Sequence, residues 1–156
     1  MAGKLSRTIR PMRIAAAVMA VLALWAVVSK AQEQDLIMAA YYGELSAVQR
    51  LLAAGAQVDV RDKNHITPLM AASLRGHEKI VALLLARGAD VNARTVDGQT
   101  PLIYAAIKGD PEIVAMLLDH GADISARDNS GKTALMLAVR MNHPRVREVL
   151  IQGGAE

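Results

Sequence analysis

Residues 100–127 read TPLIYAAIKGDPEIVAMLLDHGADISAR, and the same pattern recurs up and down the chain. Thr100 offers a hydroxyl to cap a helix N-terminus, and Pro101 suits a first helical turn, where no amide hydrogen is needed. Gly109 allows the left-handed residue at which that helix stops and reverses. Asp110-Pro111 restarts the chain, and Ile113, Val114, Leu117 and Leu118 follow at helical spacing. Gly121-Ala122-Asp123 then closes the second helix. The stretch is a unit of two short antiparallel helices, too thin to bury its own apolar face.

Its copies supply the missing cover. Thr67-Pro68-Leu69-Met70 and Thr133-Ala134-Leu135-Met136 open units on either side, and Gly76 and Asn142 stand where Gly109 does. Gly55, Gly88, Gly121 and Gly154 lie 33 residues apart, and Asp35–Ala40 with Gly55–Asp59 fits a degenerate first copy. His77 and His143 share the place of Asp110 at the start of the second helix, where they can cap it or bond backbone. Asp97-Gly98 and Ser130-Gly131 are turn signals at hairpin tips between units. Ala71-Ala72 and Ala105-Ala106 leave room for close helix approach.

Together these positions resemble the ankyrin repeat family, whose unit is a β-turn followed by two antiparallel helices. The resemblance covers residues 34–156, and domain boundaries follow at 1–31 for a leader and 32–156 for the repeats. It implies an all-α solenoid of about four helix–turn–helix repeats joined by β-turn hairpins. Two departures stand out. Family repeats often place His after Thr-Pro-Leu to tie loops together, whereas Met70, Ile103 and Met136 stand here and point to a loop network held by packing. His65 replaces the Gly98 and Gly131 of later copies, so its turn is expected to differ in shape. Arg50 and Arg147 occupy places that are apolar in the other copies. Both fit the outer faces of terminal caps, and capped ends favour a monomer.

The leader accounts for the basic balance. Residues 1–31 hold five of the 18 Lys and Arg and no acid, and what remains is 13 basic against 15 acidic residues. A slightly acidic stack with no dense basic stripe argues against nucleic acid. Positive residues up to Arg13, the uncharged apolar stretch 14–28, and Ser29-Lys30-Ala31 have the anatomy of a secretory signal cleaved after Ala31. The style is bacterial and the expected destination the periplasm. An uncleaved anchor through residues 14–28 is the alternative; that stretch is shorter than the ~20 residues of a usual span. The absence of Cys requires a fold that stands without disulfides.

No enzyme emerges. His65, His77, His120 and His143 form no metal-ligand spacing, so neither metal nor cofactor is expected. Ser73, Ser125 and Ser130 lack a nucleophile-elbow context, and no carboxylate pair suggests a shared proton. Asp90 and Asp123 are placed by the repeat to bond turn backbone. A small hydrolase using His77 or His143 is the alternative of a different class.

By the resemblance, hairpin tips and first-helix ends form a concave strip that binds a protein partner. The positions left undictated by the scaffold are Tyr41, Tyr42, Leu74, Arg75, Ile107, Lys108, Arg140 and Met141 on the helices. The tips add Lys63, Asn64, Ile66, Val96, Asp97, Gln99, Asn129, Ser130 and Lys132. Aromatic, Arg and Met side chains are enriched at interfaces, which singles out Tyr41, Tyr42, Arg75, Arg140 and Met141. The expected function is a non-catalytic, exported protein-interaction module. A membrane-tethered scaffold is the alternative, as is a binder of one stress-defence enzyme (the resemblance implies support of enzymes such as catalase) or of a toxin.

Overall fold

The computed structural model describes residues 18, 19, 21, 22 and 35–155. The chain divides into two units, Met1–Ala31 and Gln32–Glu156. In the first, residues 18, 19, 21 and 22 are helical and exposed, and the rest of the leader, with its cleavage site, lies outside the described residues. No described helix is long and apolar enough to cross a membrane.

In the second unit, residues 35–42 form α1. It is followed by α2 (Leu45–Ala53), α3 (Pro68–Arg75), α4 (Glu78–Ala86), α5 (Pro101–Lys108), α6 (Pro111–Asp119), α7 (Ala134–Arg140) and α8 (Pro144–Gln152). There is no β-strand among the described residues, and the all-α solenoid of four helix pairs is what the structure shows. α3, α5 and α7 pack in one row, α2, α4, α6 and α8 in another, and α3, α5 and α7 also pack on α4, α6 and α8 respectively. The first-helix row is the more closely packed. Ala72, Ala105, Ala106 and Ala138 sit buried in it, and their small side chains let neighbouring helices come near.

The helix starts obey the sequence. Thr67, Thr100 and Thr133 accept hydrogen bonds from the amides of Met70, Ile103 and Met136, each at 3.3 Å. Asp110 caps α6 by accepting from the Ile113 amide at 3.0 Å. α3, by contrast, ends in a left-handed glycine, and Asn142 adopts the same hand at φ 58° after α7. One continuous core runs through the stack. Leu69, Leu84, Leu102, Ile113, Leu117 and Val146 are among its fully buried members.

Three expectations need correction. The His65 turn keeps the shape of its glycine counterparts: φ is 62° at His65, 75° at Gly98 and 76° at Gly131. Asp62 imposes it, because one of its carboxylate oxygens accepts from both the Asn64 and Ile66 amides at 2.8 Å. The loops are not held by packing alone. The Val96 amide donates to the Asn64 carbonyl at 3.1 Å, and the Asn129 amide to the Asp97 carbonyl at 2.9 Å, so each tip is tied to the next. Finally, the carboxyl-end cap is partial. Arg147 is exposed as expected, but so are Met136, Val139 and Ile151 at 48%, 55% and 54%. The matching Ile103 and Ala106 of the inner repeat are fully covered by the next layer.

Candidate functional site: a strip along hairpin tips and first-helix ends

Stacking at a fixed period brings residues 33 apart into line, so the last turns of α1, α3, α5 and α7 form one row. Tyr42, Arg75, Lys108 and Met141 are equivalent in that row, and all four are exposed. Tyr41, Leu74, Ile107 and Arg140 stand one residue earlier, with the first three half-buried and Arg140 exposed. Along the tips, Lys63, Asn64, Val96, Asp97, Asn129 and Ser130 are exposed, whereas Ile66, Gln99 and Lys132 are half-buried. Ile66, Ile107 and Tyr41 also pack against the core, so part of their apolar area supports the stack rather than a partner.

One end of the strip is organised before any partner arrives. The Tyr41 and Tyr42 rings meet edge to face at 5.3 Å and 89°. The Arg75 guanidinium lies 4.7 Å from the centre of the Tyr41 ring. Such stacking holds a charged side chain against a flat apolar surface, and a cation over an aromatic face gains about 0.5–1 kcal/mol at an exposed site. Tyr42 is left 61% exposed.

Two histidines hold this row from behind. The His77 ring donates from Nε2 to the Tyr41 carbonyl at 3.0 Å, and the His143 ring donates from Nε2 to the Ile107 carbonyl at 3.1 Å. A carbonyl can only accept, which fixes the proton on Nε2. Neither ring caps its own helix. Each satisfies a carbonyl at the end of the preceding first helix, where helices leave such groups unpaired. Asp110, at the same repeat position, instead caps α6. The rings therefore tie successive repeats.

The tips are equally fixed. One Asp128 carboxylate oxygen accepts from the Ser130 amide at 2.8 Å and the Lys132 amide at 2.9 Å, as Asp62 does two layers earlier for Asn64 and Ile66. The Asn129 side-chain amide donates to the Val96 carbonyl at 3.0 Å, and Arg94 Nη2 donates to the Arg127 carbonyl at 2.6 Å. At the hairpin bases, Asp59 accepts from the Asp90 amide at 2.9 Å and Asn92 from the Asp123 amide at 2.7 Å. The two Asp side chains that the repeat places here bond turn backbone as expected, to the amides of Asn92 and Ser125.

The structure adds Tyr104 to the strip. It lies one helical turn before Ile107 and Lys108, half-buried beside the tips. Burial pushes its phenol up from the ordinary value of 10.0, and the nearby Asp97 and Asp62 carboxylates reinforce the shift. It stays neutral and can donate a hydrogen bond. Its spacing of three and four residues from Ile107 and Lys108 was the signal available in the sequence. The Ser125 hydroxyl and amide hold the Asp123 carboxyl below its usual range. Among the described residues no cluster of His, Asp or Glu could hold a metal ion. A surface hollow of about 340 Å³ is lined by Ile124, Ser125, Arg127, Thr133, Gly154 and Ala155, and the Ser125 hydroxyl there donates to the Asp123 carboxylate at 2.7 Å.

The family model described as ankyrin repeats (3 copies) matches residues 36–128 and again residues 95–156. Comparison with curated proteins gives no match.

Proposed function

The chain belongs to the ankyrin repeat family, whose members generally mediate protein–protein interaction, and we propose that this one binds a protein partner along the strip of hairpin tips and first-helix ends. The observation that carries this is the pre-set row at the last turns of the first helices. Tyr41, Tyr42 and Arg75 are mutually stacked, and the carbonyls behind Tyr41 and Ile107 are already satisfied. A surface fixed before association spends little on ordering backbone when it binds. The histidines that a hydrolase would need are engaged in inter-repeat hydrogen bonds, which favours a non-catalytic role. The protein works in the periplasm after cleavage behind Ala31, as a monomer. An anchor through residues 14–28 would make it a tethered scaffold instead.

The test compares affinity capture by the wild-type chain with capture by a variant carrying Ala at Tyr41, Tyr42, Arg75, Arg140 and Met141. A protein enriched by the wild type and lost with the variant, at unchanged helicity, supports the reading. Equal recovery by both overturns it. Intact-mass measurement of the exported chain decides the leader: an N-terminus at Gln32 rejects the tether, and retention of residues 14–28 rejects cleavage.

A further inference from the structure

We propose that the strip receives an extended acidic segment of its protein partner. This rests on the protein-binding reading above and narrows it to one chemistry. Of the strip's ionisable Lys, Arg, Asp and Glu positions, five are basic (Lys63, Arg75, Lys108, Lys132 and Arg140) and one is acidic, Asp97. The repeats as a whole carry 13 basic against 15 acidic residues, so the strip departs from the balance of the domain that bears it. None of the five cations has a carboxylate within salt-bridge distance among the described residues. The two ion pairs found there, Arg61–Asp90 and Arg145–Glu112, lie elsewhere. One oxygen of the Asp62 carboxylate and one of the Asp128 carboxylate at the tips are taken up by backbone amides.

Geometry narrows the ligand further. Arg75 and Lys108 are equivalent positions on successive first helices, Arg140 stands one residue earlier on the next, and packed helices stand about 8–10 Å apart. An extended chain advances about 3.3 Å per residue, so carboxylates at every third position would meet the three cations in turn. Exposed Tyr42 and Met141 are the two end members of the same row and add apolar surface. Each strand of a DNA duplex presents a charge about every 3.4 Å along the helix axis and would leave most of its phosphates unmatched. The row therefore fits a sparse acidic segment of protein better than a polyanion.

Fluorescence anisotropy tests this with three labelled probes and the purified chain. One is a twelve-residue peptide with Glu at every third position in a Gly/Ser background and Leu at both ends. The second is its Gln twin, and the third is oligothymidine. Three exposed charge pairs together account for about a tenfold preference for the Glu peptide at low salt. That preference should shrink as salt rises. It should vanish in a Arg75→Glu/Lys108→Glu variant and survive Lys79→Glu, an exposed change in α4 away from the row. Equal binding of Glu and Gln peptides, no binding of either, or equal damage from Lys79→Glu would overturn the inference. Tighter binding of oligothymidine would replace the acidic segment with a nucleic acid. If affinity capture finds a partner whose contact segment maps as neutral or basic, only this inference falls. If capture is the same with the five-alanine variant, the broader reading falls too.

Discussion

Replacing Gly109 by Ala isolates the tie between repeats three and four. Two penalties meet at this position. Gly109 has φ 83°, and an L-residue in the left-handed region costs about 1–2 kcal/mol. An added Cβ would also stand 2.5 Å from His143 Cε1 and Nδ1, closer than any non-bonded contact allows. The ring must move, and it then loses its hydrogen bond to the Ile107 carbonyl at 3.1 Å. One such bond contributes about 1 kcal/mol, so Gly109→Ala should cost about 2–3 kcal/mol in all. Gly88 is the matched control, with φ 80° and nothing within 4 Å of the added Cβ. Gly88→Ala should cost only the backbone part, about 1–2 kcal/mol. Urea denaturation followed by helical circular dichroism measures both. In a His143→Ala background, the Gly109→Ala penalty should fall to that of Gly88→Ala, because the obstructing ring is gone. Equal losses at the two glycines, or a double-mutant cycle that simply adds, would refute the assignment of His143 as an inter-repeat tie.

Other perturbations have outcomes of known sign. Ser73 is fully buried and its Oγ finds no partner among the described residues, so Ser73→Ala should raise stability by about 1 kcal/mol, read as a higher melting temperature. Asp110→Ala removes the α6 cap and should cost about 1 kcal/mol in the same assay. His65→Gly relieves a left-handed non-glycine residue and should stabilise by about 1 kcal/mol while leaving the tip hydrogen bonds in place, as amide exchange would report. The Tyr104 phenol titrates above its ordinary 10.0. Its contribution is therefore fully present below pH 10 and lost as pH rises through the higher folded value. Tyr104→Phe should remove part of the loss of stability seen on alkaline titration, and an unchanged profile would contradict the placement beside Asp97 and Asp62.

Features that recur with the period were legible because each has a local cause. Thr67, Thr100 and Thr133 cap helices three residues on, and Asn142 tolerates a left-handed backbone better than other side chains that are not glycine. Features that depend on the neighbouring layer were not. His77 and His143 bond carbonyls 36 residues away, and only the stack shows which carbonyl lies within reach. His65 reads as a foreign residue in a glycine turn, yet Asp62 and the tip-to-tip hydrogen bonds impose the glycine shape on it. Arg147 alone signals a cap, but the character of that face is set by Met136, Val139 and Ile151 together. The strip was legible as a set of undictated positions. Its charge imbalance was present in the same residues, and became informative once the structure showed that, among the described residues, no carboxylate lies within salt-bridge distance of its cations. Tyr104 lies a turn before the helix end, and its place beside the tips depends on the neighbouring layers.

Paired photocrosslinking in intact cells gives the most direct test of the central claim, with a reactive side chain at Tyr42 on the strip or at Glu78 on the opposite helix row. Both positions are exposed, so access does not decide the result. A partner captured from Tyr42 and absent from Glu78 is the predicted outcome; capture from Glu78 with none from Tyr42 would contradict it.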